Sequence, residues 1–293
     1  MSGNSEGPIG IAGAGRVARA LGRLLRERGE PVVAAASRDP SHAAWAAELI
    51  GGDTEAVSLD RLSRRAARIL IAVSDDAIPS VAGVLAASGM NRGIVLHTCG
   101  ARGPEILEPL VTAGVACGVL HPLQTIATPE GGVALLPGSS FAISGAGAAV
   151  AWGERIVALL DGTALHIEPA QMPIYHAAAV MASNYITGLI DAAAILMKTA
   201  GIDEKTALKA LGPLIRAGVE NTLALGPAKA LTGPIERGDV ETVRRHLRSL
   251  EATAPSASSL YRSAGLQVLE VARRRGLAEA QAGEIEALLR EGR

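Results

Sequence analysis

Three stretches of this sequence carry groups able to hold or transfer a proton. The first is Leu120-His121-Pro122-Leu123-Gln124-Thr125. A histidine at the end of an apolar run, held by the proline after it, can donate to or accept from a carbonyl oxygen near neutral pH. The second is His97-Thr98-Cys99-Gly100-Ala101, where the Thr98 hydroxyl could orient a substrate. Cys99 has no partner base at a telling spacing and reads more simply as a packed, inert thiol. The third runs from Tyr175 to Asp191. There Ser183, Asn184, Thr187 and Asp191 follow His176 by seven, eight, eleven and fifteen residues. In one continuous helix those spacings share a face. A polar stripe on an otherwise apolar helix must find partners. Bonds across a bundle or to water would serve, and so would a ligand cleft.

A fourth stretch suits a phosphate. Pro8-Ile9-Gly10-Ile11-Ala12 is a short apolar run, Gly13-Ala14-Gly15 follows, and Arg16-Val17-Ala18 opens a helical pattern. Gly13 permits a tight turn, Gly15 lets a pyrophosphate approach the backbone, and Ala18 allows close packing of helix on strand. The helix N-terminus then supplies unpaired N–H groups. A second strand is expected at 31–36. Beyond it stand Ser37 and Arg38, where a site for the unphosphorylated dinucleotide usually has a carboxylate. A guanidinium there suits a 2′-phosphate, which favours NADP over NAD. Asp39 argues the other way, but Asp before Pro40 is a good helix N-cap.

The elements that would position these groups alternate through the first half. Strands are expected at 8–12, 31–36, 55–58, 68–73, 93–97 and 115–120, with two more at 140–144 and 164–167 around a helix near 149–160. That pattern implies α/β architecture, a doubly wound and mostly parallel sheet, with ligands at the carboxyl ends of its strands. On that basis the loop after the fourth strand, with Val73 and Ser74, would pass the cofactor ribose. Asp75 or Asp76 would cap the next helix.

After Pro169 only helical periodicity remains. One long helix is expected from about 171 to 200, buried in a bundle, with Gly201 stopping it and Asp203 capping the next. Asp239 should cap a helix at 240–250, and two more close the chain. The expected domains are therefore 7–167, binding a dinucleotide, and 168–293, an all-α domain for substrate and dimerisation.

Composition narrows the classes. Net charge is −1 and only six residues are aromatic. Neither a nucleic-acid footprint nor an anionic-membrane surface is expected. The apolar stretch 177–197 approaches bilayer length, but Ser183, Asn184, Thr187 and Asp191 would be costly in lipid. Two cysteines fit a reducing cytosol. Arg244, Arg245, His246 and Arg248 read as a solvated helix face. No spacing suggests a metal site.

The sequence resembles a bacterial family that joins a Rossmann-like NADP-binding domain to a helical domain of unknown function numbered 2520. The segments that carry the resemblance are Gly-Ile-Ala-Gly-Ala-Gly-Arg-Val at 10–17, Leu-His-Thr-Cys-Gly-Ala at 96–101 and Leu-His-Pro-Leu-Gln-Thr at 120–125. Tyr-His-Ala-Ala-Ala-Val at 175–180 and Leu-Thr-Gly-Pro-Ile at 231–235 add to it. More distantly it is similar to the pyrroline-5-carboxylate reductases, prephenate dehydrogenases and 3-hydroxyacid dehydrogenases. The resemblance implies a substrate-facing role for His121. Asn184 follows Ser183 where prephenate dehydrogenases have Ser-His, and Val180 stands where 3-hydroxyacid dehydrogenases have lysine. Homodimers through the helical domain are implied as well.

The expectation is a cytoplasmic NADP-dependent oxidoreductase. It would move a hydride between nicotinamide and a small carbonyl, hydroxyl or imine substrate between the domains. His121 would handle the proton, Asn184 and Ser183 would orient the substrate, His176 would be a second proton candidate, and Thr98 would hold the far side. Gly13, Ala14, Gly15, Arg16, Val17, Ser37, Arg38, Val73 and Ser74 would bind the cofactor. A non-catalytic dinucleotide sensor and a deazaflavin-dependent reductase are the alternatives.

Overall fold

A computed structural model describes residues 7–291. The chain divides into two compact units, one ending at Ser183 and the other beginning at Asn184.

The first unit alternates as the sequence pattern predicts. In order come β1 (Ile9–Ala12), α1 (Arg16–Glu27), β2 (Val32–Ala36), α2 (Pro40–Ile50), β3 (Glu55–Val57), α3 (Leu59–Arg65), β4 (Arg68–Ile71) and α4 (Ile78–Ala87). Then follow β5 (Ile94–His97), α5 (Glu108–Thr112), β6 (Ala116–Pro122), α6 (Pro129–Leu135), β7 (Ser140–Gly145), α7 (Gly147–Leu159), β8 (Thr163–His166) and α8 (Met172–Ala182). The strands form one sheet in the order β3-β2-β1-β4-β5-β6-β7-β8. All pairings are parallel except β6 with β7.

Alternate residues face opposite sides of the sheet. In β4, Leu70 joins a core with Ile9, Ile11, Leu21 and Trp152, while Ile69 and Ile71 join another with Ile78, Val95 and Leu107. Burial on both faces explains the continuous apolar runs of the sequence. Arg68 and Glu30 are buried together, with Nη2 of Arg68 2.9 Å from Oε2 of Glu30. Arg155 reaches the other oxygen of Glu30 at 2.6 Å. The pairing keeps both buried charges compensated.

The second unit contains α9 (Asn184–Thr199), α10 (Glu204–Leu225), α11 (Pro227–Ala230), α12 (Val240–Thr253), α13 (Pro255–Arg275) and α14 (Glu279–Arg290). Asp203 and Asp239 cap α10 and α12 as expected, accepting from Thr206 N–H and Thr242 N–H. Val243, Leu247, Leu269, Ile285 and Leu289 form its core. Arg244 pairs with Glu241 on the α12 surface, and His246 bonds the Tyr261 hydroxyl at 2.9 Å.

Two expectations are corrected. The helix expected from 171 to 200 is two helices, because Ser183 takes φ −127° and ψ −71°, outside helical geometry. A face read by helical spacing through that point is therefore not continuous, and His176 and Asn184 belong to different units. The first compact unit runs to Ser183 and so includes α8. Finally, the apolar segment Pro169–Thr199 is not buried in a bundle: only 6% of its most apolar window is covered.

Candidate active site

The glycine turn has the geometry its sequence calls for. Gly13 has φ +136°, and a Cβ there would stand 2.2 Å from the Ala72 carbonyl oxygen of the neighbouring strand. Only glycine fits. Above Gly15 there is open space, with Ala72 O at 4.0 Å the nearest atom to a built Cβ. No side chain caps α1 and its first turn holds no carboxylate. Its orphan N–H groups and positive dipole end are thus free of competition from any capping group. Ala14 and Val17 are half-buried around the turn, and exposed Arg16 donates from Nη1 to Ala127 O at 3.1 Å. These residues fit a pyrophosphate.

The corner after β2 carries Ser37, Arg38 and Asp39. Ser37 is half-buried and Arg38 exposed. Asp39 is occupied as the α2 N-cap, with Oδ1 accepting from Ser41 N–H at 2.8 Å and from Ser41 Oγ–H at 2.7 Å. Those bonds hold its carboxyl below the usual range. Val73 and Ser74 follow β4, with Val73 packing beside Gly13.

The second focus lies at the carboxyl ends of β5 and β6. His121 stands within β6, one residue beyond the strand end expected from sequence. Its Nδ1 lies 3.0 Å from the Tyr175 hydroxyl on α8. Its ring meets the His176 ring edge-on, with centroids 5.5 Å apart and planes at 83°. Burial, with the nearby His176, pushes the His121 pKa down to about 4. At pH 7 His121 is a neutral imidazole. Burial likewise pushes the Tyr175 phenol up to about 12.

Gly100 lies against both rings. A Cβ there would stand 2.6 Å from His176 Nδ1 and 2.7 Å from His121 Nε2. His97 holds the loop that carries Gly100. Its Nδ1 accepts from Cys99 N–H at 3.2 Å, and its Nε2 lies 3.0 Å from Gly103 O. A carbonyl only accepts, so Nε2 carries the proton and the ring is neutral. Burial lowers the His97 pKa, consistent with that state. Thr98 is half-buried at the start of the same loop, its N–H bonded to Ile71 O at 3.1 Å.

Several expectations change here. Asp75 and Asp76 do not cap α4 with their side chains. They form a 3-10 turn at Asp75–Ala77 in front of it. The Asp75 carboxylate acts instead on Cys99, His97 and His121. Cys99 is buried, and its thiol is pushed up to about 11 mainly by burial. It is no nucleophile at neutral pH. His176 stands beside His121, its ring in edge-on contact. Asn184 is exposed at the start of the second unit, and Ser183 is half-buried at the helix break. Sequence reasoning passed over Tyr175, Gly100 and His97. Tyr175 adjoins His176, but adjacency gave no sign of which histidine it would meet. Among the described residues no cluster of three or more His, Cys, Asp or Glu is arranged to hold a metal.

Residues 4–122 match the model of a Rossmann-like domain, and residues 139–268 match that of a domain of unknown function, DUF2520. The chain joins these two domains. No curated protein matches it. Among solved structures, a protein from Thermotoga maritima shares 22% identity over 91% of this chain and 98% of its own, with a TM-score of 0.71. A reductive aminase from Aspergillus terreus, in complex with NADPH and ethyl-5-oxohexanoate, shares 18% over 99% of this chain and 96% of its own (TM-score 0.60). A pyrroline carboxylate reductase from Plasmodium falciparum with NADP bound shares 16% over 98% and 99% (TM-score 0.58). At these identities the likeness establishes the fold.

Proposed function

We propose that this Rossmann-like, DUF2520-containing protein is an NADP-dependent oxidoreductase acting on a small carbonyl, hydroxyl or imine substrate. The observation that carries the reading is the convergence of His121 Nε2 and His176 Nδ1 over Gly100. It occurs at the carboxyl edge of the sheet that bears the glycine turn, where such folds bind their ligands. Structural neighbours with NADP or NADPH bound support the cofactor.

The nicotinamide, when bound, supplies the hydride. Gly13, Ala14 and Gly15 with the α1 amides bind the pyrophosphate. Arg16, Val17, Val73 and Ser74 flank it, and Ser37 and Arg38 take the 2′-phosphate. His121 passes a proton to or from the reacting atom, and Thr98 holds the substrate's far side. These roles fall on residues of the first unit. Two cysteines that form no disulfide support a reducing, cytoplasmic setting. The uncovered leucines of α9 and α10 support a homodimer through the helical unit.

The test is NADPH consumption against a panel of ketones, aldehydes and cyclic imines, with His121→Ala alongside. The variant should lose about 10²–10⁴ in turnover, the usual cost of a positioned acid, and keep its NADPH affinity. Absence of NADPH binding in the wild type would overturn the oxidoreductase reading. NADPH binding with no turnover across the panel would favour the sensor.

A further inference from the structure

The two imidazoles around Gly100 constrain the reacting atom itself. A carbon built on Gly100 would stand 2.7 Å from His121 Nε2 and 2.6 Å from His176 Nδ1. The two ring nitrogens therefore flank the space in front of Gly100 that a side chain would otherwise fill. The rings stand at 83° to one another, so the two nitrogens approach that space from different directions. His176 Nδ1 is buried and has no hydrogen-bond partner among the described residues. A buried polar nitrogen left so is costly unless a ligand or a water completes it.

We propose that His121 Nε2–H and His176 Nδ1–H are paired donors to one substrate oxygen. The substrate is then a ketone or aldehyde, with its alcohol as the reduced form, and not an imine. The inference rests on the oxidoreductase reading above. A carbonyl oxygen has two in-plane lone pairs and takes both N–H groups. An imine nitrogen has one lone pair and leaves one ring nitrogen unpaired. A protonated iminium has none and would set its own N–H against two donors.

Tyr175 is the positioning residue. Its hydroxyl bonds His121 Nδ1. Donating there, it leaves the His121 proton on Nε2, aimed over Gly100. During reduction the carbonyl carbon accepts the hydride and the C–O π pair moves to oxygen. The oxygen takes the Nε2 proton of His121 and forms the alcohol O–H. The Tyr175 proton moves to His121 Nδ1, and solvent returns a proton to the phenolate. A phenol, even at a pKa of about 12, is a stronger acid than the aliphatic alcohol formed. His176 keeps its proton and stabilises the developing negative charge on oxygen, as a preorganised donor does.

Histidine tautomers can be read directly by long-range proton–nitrogen correlation NMR on the full chain with ¹⁵N-labelled histidine at pH 7.5. The expected result is a proton on Nε2 of His121 and on Nδ1 of His176, with His97 on Nε2 as an internal control. Tyr175→Phe should move His121 toward a mixture of tautomers and leave His97 unchanged. In parallel, ketones and ring-matched cyclic imines are compared for NADPH consumption, with at least tenfold faster turnover expected for ketones. A proton on His121 Nδ1, a bare His176 Nδ1, or imines turned over as fast as ketones overturns the paired-donor assignment. Failure to bind NADPH, measured separately by calorimetry, would remove the oxidoreductase reading and leave the tautomer result standing.

Discussion

The Tyr175 hydroxyl sits 3.0 Å from His121 Nδ1, joining the first helix after the sheet to the strand that carries the candidate proton donor. The contact spans 54 residues of sequence. It fixes which edge of His121 faces the Gly100 volume, and it does so for a ring that is neutral at physiological pH.

That neutrality has a stability consequence. His121 has a folded-state pKa of about 4, against 6.5 for the free side chain. Between those values the unfolded chain binds the proton and the native ring does not. The contribution is fully present above about pH 6.5 and is lost as pH falls through 4. His97 is shifted in the same direction. For His121 alone the loss from pH 7 to pH 4.5 should be about 2–3 kcal/mol. Urea unfolding at the two pH values, for wild type and His121→Gln, measures it. An equal drop in both proteins would show that His121 contributes nothing.

Gly13 and Gly15 should respond differently to alanine. Gly13→Ala sets a Cβ against the Ala72 carbonyl at φ +136° and should cost at least about 2 kcal/mol of stability. Gly15→Ala enters open space at φ −72° and should leave the melting temperature nearly unchanged. It should nevertheless weaken NADPH, because the methyl occupies the pyrophosphate's approach. Thermal melts and calorimetric titration of both variants separate the two effects; a Gly15→Ala protein with wild-type NADPH affinity would count against the turn as the phosphate site.

Arg38 should set cofactor choice. A charge-assisted contact is worth about 1.5–3 kcal/mol, so Arg38→Ala should weaken NADPH about 10- to 150-fold and NADH far less. Equal wild-type affinity for the two cofactors would remove the 2′-phosphate role.

The second unit should not be alone in solution. Leu214 is 69% exposed and Leu223 is 82% exposed, both on α10. Apolar surface of that kind, on a helix of this length, calls for a partner. Light scattering at micromolar concentration should give twice the chain mass, and Leu223→Asp should shift the population toward monomer. A monomeric wild type would rule this out.

The positions of the strands, the glycine turn and the caps were legible in the sequence, because each is local. Alternation of apolar runs with helical periodicity marked all eight strands. Gly13-Ala14-Gly15 declared its turn through φ and space. Asp39, Asp203 and Asp239 cap the helices that begin one residue later. His121 was legible because a histidine before proline at a strand's end has few structural reasons to be there. Tertiary structure decided the rest. Spacing placed His176 and Asn184 on one helical face, but the backbone at Ser183 breaks that helix, and no periodicity survives a non-helical residue. Asp75 looked like a cap because capping is read from neighbours in sequence, whereas its influence falls on Cys99, His97 and His121 across strand ends. Tyr175 and Gly100 meet His121 only because α8 folds back beside β5 and β6. A contact between residues distant in sequence leaves no periodic or local trace in the chain that forms it.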